Sequence, residues 1–381
     1  MHYFLIYFLF LLFIIQYIIK MDLDSKIPDK SEINDIRTSS QFKGISFSKY
    51  KKTDVKDQFI ENMKNGKLEP ASYWCAELIC AGHFMDVWEI ILYYAGKHIH
   101  LGNPKIIIYL QLRFEIFRGI VSKGEFISEI DLRNNITIRK LFAEVVSTLT
   151  LSKKTHSFEP IKINREEEFD MTQMTERLKA DSITYTDGIF KKDDPKELFI
   201  AINELSYHLS KKNSTDACYW VEWMIEFFDI CKKRKEPCFC EKRNYIPVEN
   251  KYQRDIIWIV WDVISNYVEK TNDKFIKKLY DALLEIFCIK YTTASCKKRR
   301  YLLYFAVALI TENVPNNIEL MPNKPMIQNI VDKINTVYTQ IKKSEESPNT
   351  EYLFSGIKND NAFENSMRKM EIMNSLNGFY S

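Results

Sequence analysis

Glycine and proline are scarce in this chain, with 10 and 11 in 381 residues. An all-β protein needs many turns, and a supply this small argues against one. Specific catalytic patterns are missing too. No G-x-x-x-x-G-K-[ST] occurs, so there is no P-loop ATPase signature. "PCFC" (237–240) falls short of the nucleobase-deaminase P-C-x-x-C, and no H-x-E accompanies it. No Ser/His/Asp set, paired-carboxylate set or phosphate-cradling loop can be named, and the expectation leans away from an enzyme, with no cofactor. A strong charge of either sign is absent: 54 Lys and Arg against 51 Asp and Glu leave a net charge of +3. Any attraction for a polyanion must therefore come from local patches. A disulfide framework is missing as well. Cys75, Cys80, Cys218 and Cys288 sit inside apolar helical runs, which is how reduced core thiols look, so a reducing compartment is expected.

What the chain has in quantity is apolar and aromatic residues, 46% and 14%, mostly at helical spacing. The expected fold is all-α, two multi-helix blocks built on helical hairpins, with a flexible leader and tail. The organisation reads as an apolar segment (1–20), a flexible leader (21–52), a first helical block (53–150), a connector (151–194), a second block (195–343), and a linker with an amphipathic tail helix (344–381). Helix punctuation supports the block starts and stops. Pro70 suits a first turn, Gly66 and Gly82 suit stops, and Asn103 suits an N-cap before Pro104. "MIQNIVDKINTVYTQIKK" (326–343) reads as one final helix.

A phrase recurs: "ASYWCAEL" at 71–78 and "ACYWVEWM" at 217–224. Phe59-Ile60 precede the first Tyr-Trp pair and Phe199-Ile200 the second, so each reads as a hairpin whose second helix carries the pair. Neighbours on a helix point about 100° apart, so Tyr73-Trp74 and Tyr219-Trp220 can each face two partners at once, as hubs of the two cores.

The opening "MHYFLIYFLFLLFIIQYII" is almost long enough to span a bilayer. Two readings stand. It is a membrane anchor, the one route to a membrane here, or it is AT-rich sequence translated upstream of a start at Met21, since it uses only residues with A/T-rich codons.

Residues 55–122 resemble the helical collar, or oligomerisation, domain of clamp loaders and related AAA+ proteins. The resemblance rests on "ASYWCAELICAG" and "KHIHLGNPK", with Ala71, Tyr73, Trp74, Ala76, Gly82, Ile99, Leu101 and Pro104 in step. It implies oligomerisation through helices, without the ATPase; His100 departs from a usual Gly. Residues 46–377 also resemble an uncharacterised family of nucleocytoplasmic large (giant) DNA viruses. "AGHFMDVWEIIL", "RNNITIRKLFAE", "INREEEFDMTQMTERLKA", "CKKRRYLLYFAVAL" and "SEESPNTEYLF" carry it. This implies an intracellular setting in an infected host (cytoplasm, virus factory or nucleus) and no mechanism.

Three sets of residues are candidates for a role. Cys231, Cys238, Cys240 and Cys296 are the zinc candidates, with Cys288 nearby, against a plainer reading as buried or loop thiols. The basic runs Lys232, Lys233, Arg234, Lys235 and Lys297, Lys298, Arg299, Arg300 adjoin aromatic helices and are candidates for nucleic acid, against solvated surface. Cations favour helix C-termini, which accounts for the first run; the second opens a helix, where that account fails. "REEEFD" (165–170) is a solvated charge run. In the tail, Phe363, Met367, Met370, Met373 and Leu376 form one stripe, expected to dock on a protein partner or a second copy, or to fold back on the second block. The expected function is a non-enzymatic assembly or accessory factor for viral DNA replication or transcription. A structural or virion-associated interaction protein is the alternative, and a metal-dependent nucleic-acid enzyme a distant third.

Overall fold

The structure, a computed structural model, describes residues 30–122, 128–165, 169, 177–235 and 238–346. They fold as an all-α protein. The first hairpin is α1 (Lys52–Lys64) and α2 (Leu68–Cys80), joined across Gly66. Gly82 ends the next turn at φ +76°, a left-handed conformation that glycine adopts without strain. α3 (Phe84–Tyr94) then loosens into a π-turn over Ala95–Ile99 and a short 3-10 turn over His100–Gly102. α4 (Lys105–Ser122), α5 (Glu129–Asn134) and α6 (Ile136–Leu151) complete the first set. The second hairpin is α7 (Phe199–Ser210) and α8 (Ser214–Arg234), followed by α9 (Ile257–Thr271), α10 (Lys274–Phe287), α11 (Ser295–Lys298) and α12 (Arg300–Thr311). α13 (Lys324–Asp332) and α14 (Ile334–Lys342) end the described chain; the single helix expected there breaks at Lys333.

The local chemistry explains most boundaries. Asn135, Asn213, Asp273 and Asn323 each accept a hydrogen bond from a first-turn backbone N–H, and Ser128 with Asp131 forms a capping box. Asn103 does otherwise. Its amide nitrogen donates to the carbonyls of Glu319 and Leu320, so it ties the start of α4 to a distant loop.

The blocks do not stand apart. A single apolar core runs from Ile33 to Ile341. α4 packs on α10, and α12 crosses the π-turn at Gly96, where an added Cβ would lie 3.0 Å from Tyr301. α13 and α14 leave the second set and finish the first: they lie on α6 and α2, with Tyr338 buried under the Arg139 guanidinium at 3.9 Å. The expected end of the second block at 343 is thus corrected, because the apolar stripes of 324–342 cover α2 and α6 rather than the second hairpin.

The flexible leader is corrected as well. From Lys30 onward it is packed: Ile33, Phe42 and Phe47 are fully buried. Arg139 donates to Ser31, and Asn134 exchanges hydrogen bonds with the Ile33 backbone. Its low periodicity came from a coiled path, since buried residues spaced irregularly along a loop leave no helical pattern. Through the described part of the connector, residues 152–165 and 177–195, the chain runs without an α-helix, held to the π-turn by Thr155 and Ser157 N–H groups donating to carbonyls of 97–99.

The aromatic pairs differ. Tyr219 and Trp220 are buried, whereas Tyr73 and Trp74 are half-buried, with Trp74 edge-on to Tyr50 at 5.5 Å. The first core centres instead on Trp88, ringed by Phe114, Phe117 and Phe142. No helix among the described residues is long and apolar enough to cross a membrane, and residues 1–20 lie outside them.

Candidate nucleic-acid interface on helix α8

The C-terminal half of α8 presents a stripe at i, i+4, i+7 and i+11: Trp223, Phe227, Ile230 and Arg234. Together with Arg165 and Phe169 of the connector and Lys196 and Ile200 at the start of the second hairpin, the stripe lines a cavity of about 640 Å³. Its interior is aromatic. Trp223 forms the buried floor, Phe227 is stacked on it at 5.2 Å with planes 10° apart, and Phe169 leans on Trp223 at 4.9 Å. Its rim is basic, with Arg165, Lys196, Lys233 and Arg234 exposed beside the single acid Glu197.

A second depression of about 800 Å³ adjoins it, sharing Arg165 and lined by Lys162, Glu222, Glu226, Lys297 and Arg300. Between the two runs a ladder of charges along α8. Glu226 accepts from Arg165 (2.5 Å) and Lys297 (2.7 Å), and Asp229 pairs with Arg165 (3.0 Å) and Lys233 (3.3 Å). Burial pushes both carboxyls up, but the hydrogen bonds from these cations outweigh it and hold them below the usual carboxylate range. These two carboxylates therefore stay charged near neutral pH, whereas burial pushes the Glu222 carboxyl of the same face up. Among the described residues the face carries seven cations against Glu197, Glu222, Glu226 and Asp229, an excess of positive charge in a protein that is close to neutral overall. Of these seven cations Lys162, Lys196 and Arg234 have no ion-pair partner among the described residues, so a ligand meets them without competition. Glu166, Glu167 and Glu168, which separate Arg165 from Phe169 in the chain, lie outside the described residues.

The two basic runs thus both reach α8, but they are not equivalent. Lys232, Lys233, Arg234 and Lys235 are all exposed at the C-terminus of α8, where Lys235 takes a left-handed cap conformation. In the second run only Lys297 and Lys298 are exposed. Arg299 is buried: its guanidinium donates to the Phe287 carbonyl at 2.5 Å and pairs with Glu89 of α3. Arg300 donates to the buried Glu222 at 2.9 Å, and the Tyr304 hydroxyl donates to the same carboxylate. Arg299 is corrected from a ligand-binding residue to a bolt between the two halves. Its partners are distant in sequence, so the run of four cations gave no hint that one faced inward.

Of the cysteine candidates, Cys231 and Cys238 come together, but Cys296 lies apart, against Tyr291. All eight cysteines are free and buried. The Cys238 thiol hydrogen-bonds Cys231, the Cys240 thiol donates to the Asp255 carbonyl at 3.3 Å, and Cys296 contacts the Tyr291 hydroxyl at 2.9 Å. Burial pushes the Cys240 and Cys296 thiols up to about 12, which opposes the thiolate that zinc needs. Among the described residues no three His, Cys, Asp or Glu side chains are grouped to hold a metal. His83, His98 and His100 are also separated. His83 Nε2 lies on the carbonyls of Phe42 and Ile45, His98 packs on Tyr94, and His100 on Phe305.

Lys196, Phe169, Trp223 and Phe227 were missed as site residues from sequence. The stripe on α8 was legible as spacing, but it reads equally as core, and only the approach of the connector opens it. The tail stripe Phe363, Met367, Met370, Met373 and Leu376 lies outside the described residues. No protein-family model, curated protein or solved structure matches this chain.

Proposed function

We propose that this protein is a non-enzymatic accessory factor for viral DNA replication or transcription that binds nucleic acid through the face of α8; the giant-virus resemblance supplies the infected-host setting and no mechanism. The observation that supports this most is that cations of both basic runs, with Lys162, Arg165 and Lys196, line two adjoining depressions along α8, one of them aromatic. A polyanion gains from such a face chiefly by releasing its counterions, so binding weakens steeply with salt.

The test is fluorescence anisotropy of a labelled 20-mer DNA across a sodium chloride series. The combined variant Lys196→Ser, Lys233→Ser, Arg234→Ser and Lys297→Ser leaves the buried Arg299 and Arg300 pairs intact. It lowers affinity on every sequence and flattens the salt slope by about 0.7–0.9 for each phosphate that is no longer neutralised. Parental affinity and slope in this variant, or no binding by the parent at 50 mM salt, sinks the reading.

A protein partner is the second reading, in line with a structural or virion-associated role. Leu112, Ile116 and Val121 on α4 favour it, being exposed at 56%, 43% and 40% beside a depression between α4 and α10.

A further inference from the structure

We infer that the cavity beneath α8 is a stacking site for one unpaired base, so that the preferred ligand is single-stranded nucleic acid. The inference rests on the proposed function and goes beyond it, because a basic face alone would hold a duplex as well. Three features carry it. The cavity is concave and about 640 Å³, within the range of about 300–1,000 Å³ typical of small-molecule sites, so it admits a planar heterocycle. Its interior offers the Phe227 ring, backed by the buried Trp223, with Phe169, Ile200 and Ile230 at the sides, and among the described residues it presents no carboxylate other than Glu197. Aromatic faces bind any base by stacking, whereas a phosphate gains nothing from them. The cations are placed where the backbone of such a base would leave. Arg234 lies seven residues beyond Phe227 on the same helix, a rise of roughly 10 Å, and Lys196 stands on the opposing element. The interior therefore suits a base and the rim its phosphates. A base paired inside a duplex cannot enter without leaving its stack.

The same chemistry occurs in a free nucleotide, and the experiment separates the two. Binding to the full chain is measured at 150 mM salt for labelled dT20, for an abasic-spacer strand of the same length and charge, and for a 20-base-pair duplex. Unlabelled thymidine monophosphate serves as competitor. The expected result is that dT20 binds about tenfold tighter than the abasic strand and tighter than the duplex, while the monophosphate competes only at concentrations far above those of the strand. Phe227→Ala removes the advantage of dT20 over the abasic strand and keeps the residual salt-dependent binding; Phe227→Trp retains it. If dT20 and the abasic strand bind alike, the base does not enter and the inference fails, while the nucleic-acid reading stands. Equal binding of duplex also overturns it, as does a monophosphate that competes as strongly as the strand. No binding of any polymer overturns the nucleic-acid reading itself. Should Phe227→Ala not fold, the comparison of dT20 with the abasic strand on the parent still decides.

Discussion

His100 holds φ +45°, a left-handed backbone that glycine adopts easily, at the position where the collar pattern has glycine. Its ring is packed on Phe305 at 4.7 Å and edge-on to Phe158, and its Nε2 has no hydrogen-bond partner. Burial lowers its pKa to about 4 from an ordinary 6.5, and His98, buried and beside His156, is lowered to about 4 as well. Both folded values lie below the unfolded one. The stability these rings contribute is therefore fully present above pH 6.5 and is lost as pH falls towards 4. Thermal melts at pH 7.5 and 4.5 should show this loss, and a His98→Gln, His100→Asn double variant should lose less; Asn tolerates the left-handed backbone and does not titrate. An equal loss in parent and variant rules the two histidines out as its source. Tryptophan truncation separates the two hubs. Trp220→Ala should cost about 3–5 kcal/mol in urea denaturation, as large core truncations do. Trp74→Ala should cost distinctly less, because that ring is already partly exposed at the edge of the core. The repeated Tyr-Trp phrase was legible as a device for hairpins, but burial depends on what lies above the hairpin, and no pattern within the phrase records that.

At the scale of elements, the junction between α10, α11 and α12 decides how the halves meet. Arg299 donates to the C-terminal carbonyl of α10 and reaches Glu89 on α3, so a single side chain clasps three helices. Truncating it leaves a carbonyl and a carboxylate without their donor. Arg299→Ala should destabilise the protein by about 3 kcal/mol, while Lys298→Ala on the exposed side stays within about 0.5 kcal/mol. Calorimetric melts of the two variants check this, and equal melting would return Arg299 to the surface. A similar clasp holds the connector. Asp194 accepts from Arg243 at 2.6 and 2.7 Å with both side chains fully buried. Burial pushes the Asp194 carboxyl up, but the Arg243 hydrogen bonds and the Lys191 and Glu241 N–H groups outweigh it and lower it. Helix identity, most boundaries and the two hairpins were readable from spacing, caps and stops. The clasps were not, since each joins a charged residue in a polar stretch to a partner dozens to hundreds of positions away. The candidate site was readable in half: the basic runs stood out, while Phe169, hidden in "REEEFD", counted as part of a charge run.

At the scale of the molecule, the core is continuous and its closing pieces come from both ends of the described chain. Ile33, Phe42 and Phe47 are each worth about 1.5–3 kcal/mol on burial, against a total stability of about 5–15 kcal/mol for a typical protein. A chain beginning at Lys51 should therefore be unfolded or poorly cooperative by circular dichroism and urea titration. Parental melting in that truncated chain would mean the leader is dispensable.

The leader and the end of α14 are also fastened to each other. Asn34 N–H donates to Glu345, Asp35 accepts from the Glu346 N–H, and Arg37 and Lys49 pair with Glu346. On a ribosome this arrangement imposes a wait. Most of the leader can settle once α6 is made, with Phe47 on Glu77, Phe42 on His83 and Arg133, and Ile33 on Asn134, but its fastening to Glu345 and Glu346 waits for α14, some three hundred residues later. At roughly 5–20 residues per second that fastening comes on the order of 15–60 s after the leader itself is made. The latch between the leader and α14 is therefore the last of the leader's contacts to close, and until then the leader is held from one side only.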